Sequence, residues 1–313
     1  MGIGQSESSE DNVTELSPRP YILVGIDGST SSLIALTWAV NEAQLRNLPL
    51  RLAHAVDFES FAMGFNPGAS ESFFKYLETT GQRFLDEALD RVQTLDPDLE
   101  VTLTRKAGRP ARVLIDLSKD AFLTVVGSSG LNAFTGLLAG SVAVALTAHG
   151  HSPVVVVRAP GVPVTGPVVV GISGAPDSED AIGWAFEEAS MRGAQLTAVL
   201  VWGYLPAHFY DAQGPWNDLT GQAREEQQEM LLAERLAGWQ EKFPDVAVRR
   251  VAAIGNPGHL LLSHAQRAQL VVTGSRGRGD ATGLLLGSTC HKLIHQANCP
   301  VLVARPLARE STR

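Results

Sequence analysis

Apolar runs and helical periodicities alternate along this chain. Tyr21 to Ile26 is an apolar run, the pattern of a strand buried on both faces. Ser31 to Asn47 follows with helical spacing through Leu33, Leu36, Trp38, Val40 and Ala43. Leu50 to Val56 reads as a second strand. Glu71 to Leu95 reads as a long helix stopped by Asp96-Pro97. A third strand is predicted over Val101 to Lys106, a helix over Ala111 to Lys119, and a fourth strand over Leu123 to Gly127. A helix over Gly140 to His149 and a fifth strand over Val154 to Arg158 complete the unit. Continuous apolar strands separated by helices predict a parallel sheet covered on both faces. Such sheets bind ligands beyond the carboxyl ends of their strands, where the strand order switches. The loops after the first and fourth strands are therefore the places to look.

The unit occurs twice. Val24-Gly25-Ile26 returns as Val170-Gly171-Ile172, and Trp38-Ala39 as Trp184-Ala185, both 146 residues on. Gly108-Arg109-Pro110 returns as Gly255-Asn256-Pro257 and Gly140-Ser141 as Gly287-Ser288, both 147 residues on. Ser152-Pro153 is matched by Cys299-Pro300. Register held over so many landmarks marks an internal duplication. The predicted division is a disordered tail over 1–20, domains over 21–158 and 168–305, a Pro/Gly-rich linker over 159–167, and a tail over 306–313.

The net charge of −8 argues against nonspecific binding to nucleic acid. Two cysteines, Cys290 and Cys299, exclude a disulfide framework and fit a reducing, cytoplasmic setting. No 18-residue apolar run is present, so membrane insertion is not expected. The first twenty residues lack the basic and apolar regions of a signal peptide.

The candidate chemistry lies after the fourth strand of each half. Gly127-Ser128-Ser129-Gly130 is followed nine residues later by Gly140-Ser141-Val142, and Gly274-Ser275-Arg276-Gly277 nine residues later by Gly287-Ser288-Thr289. Glycines let backbone approach a charged ligand, consecutive amides form anion-binding nests, and a helix N-terminus favours phosphate. The serine of Gly140-Ser141 can cap its helix or bind a phosphate oxygen. Neither a Walker A ending nor the dinucleotide fingerprint is present.

These paired G-x2-G-x9-G-[ST] motifs resemble the ATP-binding signature of universal stress proteins, as do Val24-Gly25-Ile26-Asp27-Gly28-Ser29 and Cys299-Pro300-Val301-Leu302-Val303. The tandem arrangement resembles actinobacterial, especially mycobacterial, members. The resemblance implies two tandem Rossmann-like (adenine nucleotide alpha hydrolase-like) α/β domains, each a five-stranded parallel sheet with helices on both faces. It implies ATP as ligand, bridged by Mg²⁺ because a triphosphate carries about four negative charges. It places Gly25 and Asp27 on the adenosine and Ala53 against the adenine; Gly171, Ser173 and Val199 match them in the second half. A plain core role for Ala53 and Val199 is equally compatible. Ser173 supplies no charge, so its contact should be weaker than that of Asp27. Arg276 and Arg278 are the basic residues inside the phosphate loops, and Arg276 has Ser129 as its counterpart. Both sites are expected to bind ATP with unequal affinity. The expected role is nucleotide-dependent regulation of stress response, dormancy or growth through an unknown protein partner. A slow ATPase or phosphotransferase, or a scaffold with vestigial sites, are the rival readings.

Other features are weaker. His291 and His295 sit four apart on a predicted helix beside Cys290, a spacing that can serve a metal, but no acid joins them locally and their first-half counterparts are Val144 and Ala148. His54 would need a partner such as Asp27 for catalysis, and Leu200 replaces it in the second half. A structural histidine fits better. Residues 224–242 read as an amphipathic helix. The loops carrying Phe61, Phe65, Phe209, Tyr210 and Trp216 either cover the clefts or pack over the sheet edge. The apolar final strands, Val154 to Val157 and Val301 to Val303, would leave open edges in isolated domains. They are expected to pair with each other as an internal pseudo-dimer, and the resemblance adds a homodimer of the chain.

Overall fold

The computed structural model describes residues 19–58, 71–130, 139–158, 165–173, 178–202, 221–275 and 286–305. The first half runs β1 (Tyr21–Gly25), α1 (Thr30–Arg46), β2 (Leu50–Val56), α2 (Glu71–Leu95), β3 (Val101–Ala107), α3 (Pro110–Leu117), β4 (Ala121–Gly127), α4 (Ser141–His149) and β5 (Val154–Val157). The second half repeats it as β6 (Val168–Ile172), α5 (Glu179–Met191), β7 (Leu196–Trp202), α6 (Gly221–Lys242), β8 (Val248–Ile254), α7 (Pro257–Ala265), β9 (Leu270–Gly274), α8 (Ser288–Gln296) and β10 (Val301–Ala304). Local chemistry sets the element ends. Ser29 caps α1 by accepting from the Ser32 amide, and Asn47 closes it in the left-handed conformation at φ 51°. Pro110 opens α3, one residue ahead of the predicted start, because proline lacks only the N–H that a first helical residue does not use.

The strands form one ten-stranded sheet in the order β3-β2-β1-β4-β5-β10-β9-β6-β7-β8. Pairing is parallel within each half. At the seam β5 and β10 run antiparallel, with Val156 opposite Val301 and Val154 opposite Val303. The two apolar edges thus close each other, as the sequence predicts. Alternate strand residues feed two cores. Ile22, Val24, Leu52 and Val125 pack with Leu36, Val40, Leu85 and Val92 from α1 and α2. Leu23, Ala53, Val126 and Val156 pack on the opposite face with Leu114, Ala143 and Leu146 from α3 and α4. Both cores continue across the seam, through Leu302 on one face and Val301 on the other.

A buried ion ring locks the halves together. Arg46 Nε lies 2.5 Å from Glu42 Oε1 and its Nη2 2.5 Å from Glu188 Oε1. Arg192 Nη2 lies 2.5 Å from Glu42 Oε2, and its Nη1 also pairs with Glu188. Glu42 and Glu188 occupy the same position of the repeat, as do Arg46 and Arg192. The ring is therefore self-complementary about the pseudo-twofold axis. Arg46 stacks over Trp184 at 4.8 Å and Arg192 over Trp38 at 5.8 Å. Burial and the charge of Glu42 push the Glu188 carboxyl up to about 8, whereas at Glu42 burial is outweighed by Arg192 and Arg46 and the carboxyl falls below its ordinary value. The two acids titrate as one pair.

Candidate functional site

In the first half the strand order reverses between β1 and β4, and a cavity of about 950 Å³ opens beyond their carboxyl ends. That volume lies within the range of cofactor pockets. Gly25, Asp27, Ala53, Gly127, Ser129, Gly130, Gly140, Ser141 and Val142 all line it. Ser128, the remaining first-half candidate, does not. Its side chain is buried, its amide donates to the Val157 carbonyl (2.9 Å), and its own carbonyl accepts from the Gly140 amide (2.6 Å). The backbone of Ser128 braces the loop by extending the ladder between β4 and β5.

The glycines have separate jobs. A Cβ on Gly127 would lie 2.7 Å from the Ser31 carbonyl carbon and 2.8 Å from its oxygen, so this glycine lets β4 end against the first turn of α1. The Ser129 amide then donates to Ser31 Oγ at 3.3 Å. Gly130 faces Asp27: its Cβ would sit 2.7 Å from Oδ2, so the two loops meet there. Asp27 Oδ1 accepts from the Ser29 amide (3.0 Å) and hydroxyl (2.6 Å), which fixes the carboxylate. Gly140 is the N-cap of α4 without a side-chain cap, and Ser141 is the first helical residue. The capping alternative for Ser141 is thereby removed. The amides of Ser129 and Gly140 are engaged within the protein. The amides of Ser141, Val142 and Ala143 have no acceptor inside the helix, and all three residues line the cavity.

Two cations emerge that the sequence reading missed. Arg83 on α2 and Arg109 at the start of α3 both line the cavity. Arg83 pairs with Glu87 at 3.1 Å. Arg109 holds the N-cap position of α3 without a side-chain cap bond, whereas its second-half counterpart Asn256 caps α7 by accepting from the His259 amide (3.1 Å). The available signal was Gly108-Arg109-Pro110 itself, read only as a landmark of the repeat. The first-half cavity therefore brings arginines together with the carboxylate of Asp27. His54 also lines the cavity. Its Nδ1 lies 2.7 Å from the Ile26 carbonyl, so it donates there, and the ring packs edge-on to Phe84.

The second half repeats the loop closure: the Gly287 amide donates to the Ser275 carbonyl at 3.0 Å, and Gly287 caps α8, which opens with Ser288 and Thr289. Gly274 ends β9. The first loop differs. Ser173 turns inward: its amide donates to Ser178 Oγ (2.9 Å) and the two hydroxyls lie 2.7 Å apart, at the start of α5. Gly171 packs against Leu261, and Val199 is buried in the core. Arg276, Gly277 and Arg278 lie outside the described residues, as do Phe61, Phe65, Phe209, Tyr210 and Trp216.

The rings of His291 and His295 are 4.2 Å apart. His295 Nδ1, however, accepts the Ala139 amide at 2.9 Å, and no group of three or more metal-binding side chains occurs among the described residues. Cys290 and Cys299 are free and buried, and burial pushes both thiols up to about 12. Among the described residues no helix is long and apolar enough to cross a membrane.

The universal stress protein family profile matches residues 20–158 and 165–305. The chain belongs to that family and carries two of its domains in tandem. It is 39% identical over 297 residues to a universal stress protein of Mycolicibacterium smegmatis, covering 91% of this chain and 97% of that one. It is 37% identical over 293 residues to universal stress protein Rv2623 of Mycobacterium tuberculosis, covering 91% and 96%. A solved universal stress protein from Archaeoglobus fulgidus shares the fold, with a TM-score of 0.68 at 18% identity over 91% of this chain and 96% of that one.

Proposed function

We propose that this protein binds ATP, with Mg²⁺ bridging the phosphates, and acts as a nucleotide-dependent regulator. One observation carries the reading: the cavity at the strand-order reversal joins the Asp27 loop, the glycine loop, the uncapped start of α4 and two arginines. The adenosine lies towards Ala53 and Asp27, whose fixed carboxylate suits ribose hydroxyls. The triphosphate lies towards Ser141 and Val142, where the helix N-terminus favours negative charge. Arg83 and Arg109 add positive charge at the rim. The second site keeps the loop closure but has Ser173 folded onto Ser178, so its affinity differs from that of the first. Occupancy alters the surface offered to a regulatory partner, and a homodimer of the chain is the expected assembly. Mass spectrometry of small molecules released from the purified, denatured protein tests this. Released adenine nucleotide supports it; protein that neither carries nor takes up adenine nucleotide refutes it.

A further inference from the structure

The phosphate loop of the first half is held from the second half. His295, on the last turn of α8, lies across the seam from Ala139, the residue before Gly140-Ser141. The Ala139 amide donates to His295 Nδ1 at 2.9 Å. An imidazole nitrogen accepts only while it carries no proton, so this bond exists only with neutral His295 in its Nε2–H form. The backbone of His295 is anchored in turn, its carbonyl accepting from the Arg158 guanidinium at the end of β5. Among the described residues the contact has no counterpart at the other site. Ala148 occupies the position matching His295, and its side chain has no acceptor.

We infer that His295 is a positioning residue of the first nucleotide site and makes that site sensitive to acid. Protonation of Nδ1 replaces the acceptor by a donor facing the Ala139 N–H, and the start of α4 loses its tether. The groups facing the ring all oppose protonation. His291 stacks beside it on α8, and Arg158 approaches from β5. On α4 the one titratable side chain is His149, at the far end from Ala139. Burial first, then His291 and Arg158, lower the proton affinity of His295 below the ordinary histidine value. The tether is therefore intact at neutral pH and released on acidification. The inference rests on the proposed ATP reading for its consequence, but not for its geometry.

The test uses the full chain as wild type and two variants at position 295. Mg-ATP affinity is measured at pH 7.5 and pH 5 for wild type, His295→Asn and His295→Ala. Asn keeps an acceptor near the Nδ1 position and does not titrate. Wild type should lose about fivefold in first-site affinity at the lower pH beyond any loss shown by His295→Asn, the factor one net hydrogen bond is worth. His295→Ala should be weak at both pH values. Equal pH profiles for wild type and His295→Asn overturn the inference. A second readout needs no nucleotide: ¹⁵N NMR of His295 should show the Nε2–H tautomer at pH 7.5, with an Ala139 amide that exchanges faster in His295→Ala. An unchanged Ala139 exchange rate overturns the inference. Absence of ATP binding with the tether seen by NMR overturns instead the nucleotide reading and the acid-sensitive site with it.

Discussion

Glu42 of the first half and Arg192 of the second meet across the seam, Oε2 to Nη2, at 2.5 Å, with the glutamate fully buried and the arginine nearly so. Their repeat-related partners, Glu188 and Arg46, close the ring. Charges removed from water are tolerated only when paired and hydrogen-bonded. Glu42→Ala leaves two buried guanidinium groups with Glu188 and, on Arg46 alone, the partly exposed Glu187 at 3.7 Å. It should cost about 3–5 kcal/mol, measured by urea unfolding followed through intrinsic tryptophan fluorescence. A loss below about 0.5 kcal/mol, the level of an ordinary surface substitution, would mean that the ring does not hold the halves.

The glycines of the first-half loop after β4 separate by substitution. Gly127→Ala drives a methyl group into the Ser31 backbone and should destabilise by about 1–3 kcal/mol. At Gly140 the nearest atom to an added Cβ is 3.6 Å away, so that position has room. Gly140→Asp should melt close to wild type while placing a carboxylate where phosphate is expected. Equal melting temperatures for Gly127→Ala and wild type would contradict this division.

His264 and His295 both hold a proton less tightly than an ordinary histidine, burial being the first cause in each; Arg249 adds at His264, and His291 and Arg158 add at His295. The unfolded chain takes up these protons at higher pH than the folded one. Stability from these groups is therefore full above the unfolded value of about 6.5 and declines as pH falls below it towards the folded values. Glu188, with its carboxyl pushed up to about 8, contributes the opposite slope over the same range, so the histidine contribution is read as a difference: between pH 7.5 and pH 5 the thermal midpoint of wild type should fall relative to that of His264→Gln.

Cys290 and Cys299 are shut off from solvent with their thiols pushed up to about 12. The thiolate is the reactive form. An aromatic disulfide reagent at pH 8 should label neither cysteine in the native protein and both after denaturation. Rapid labelling of the native protein would contradict the burial.

The fold was legible because its signals are local and doubled. Short apolar runs marked β5 and β10, and their apolar edges already required a partner. The landmarks at Trp38 and Trp184 gave the register of the duplication. The loop positions lining the first cavity were legible because glycine spacing reflects close backbone approach, as at Gly127. That Ser128 stands off the cavity wall was not legible, because motif spacing does not tell which amides the sheet ladder consumes. Arg83 and Arg109 were missed because they reach the cavity from α2 and the start of α3, which only tertiary packing brings near the glycine loop. The seam ring was legible in principle: Glu42 and Arg46 recur as Glu188 and Arg192 at the repeat offset, but an i, i+4 pair reads as an exposed helix pair until its burial is seen.

Calorimetric titration of Mg-ATP into wild type and Gly140→Asp tests the nucleotide site most directly. Wild type should bind saturably at two sites of unequal affinity, and Gly140→Asp should lose one of them without losing its fold. A wild type that takes up no ATP, or a Gly140→Asp variant whose titration matches it, would contradict the assignment of the first-half cavity.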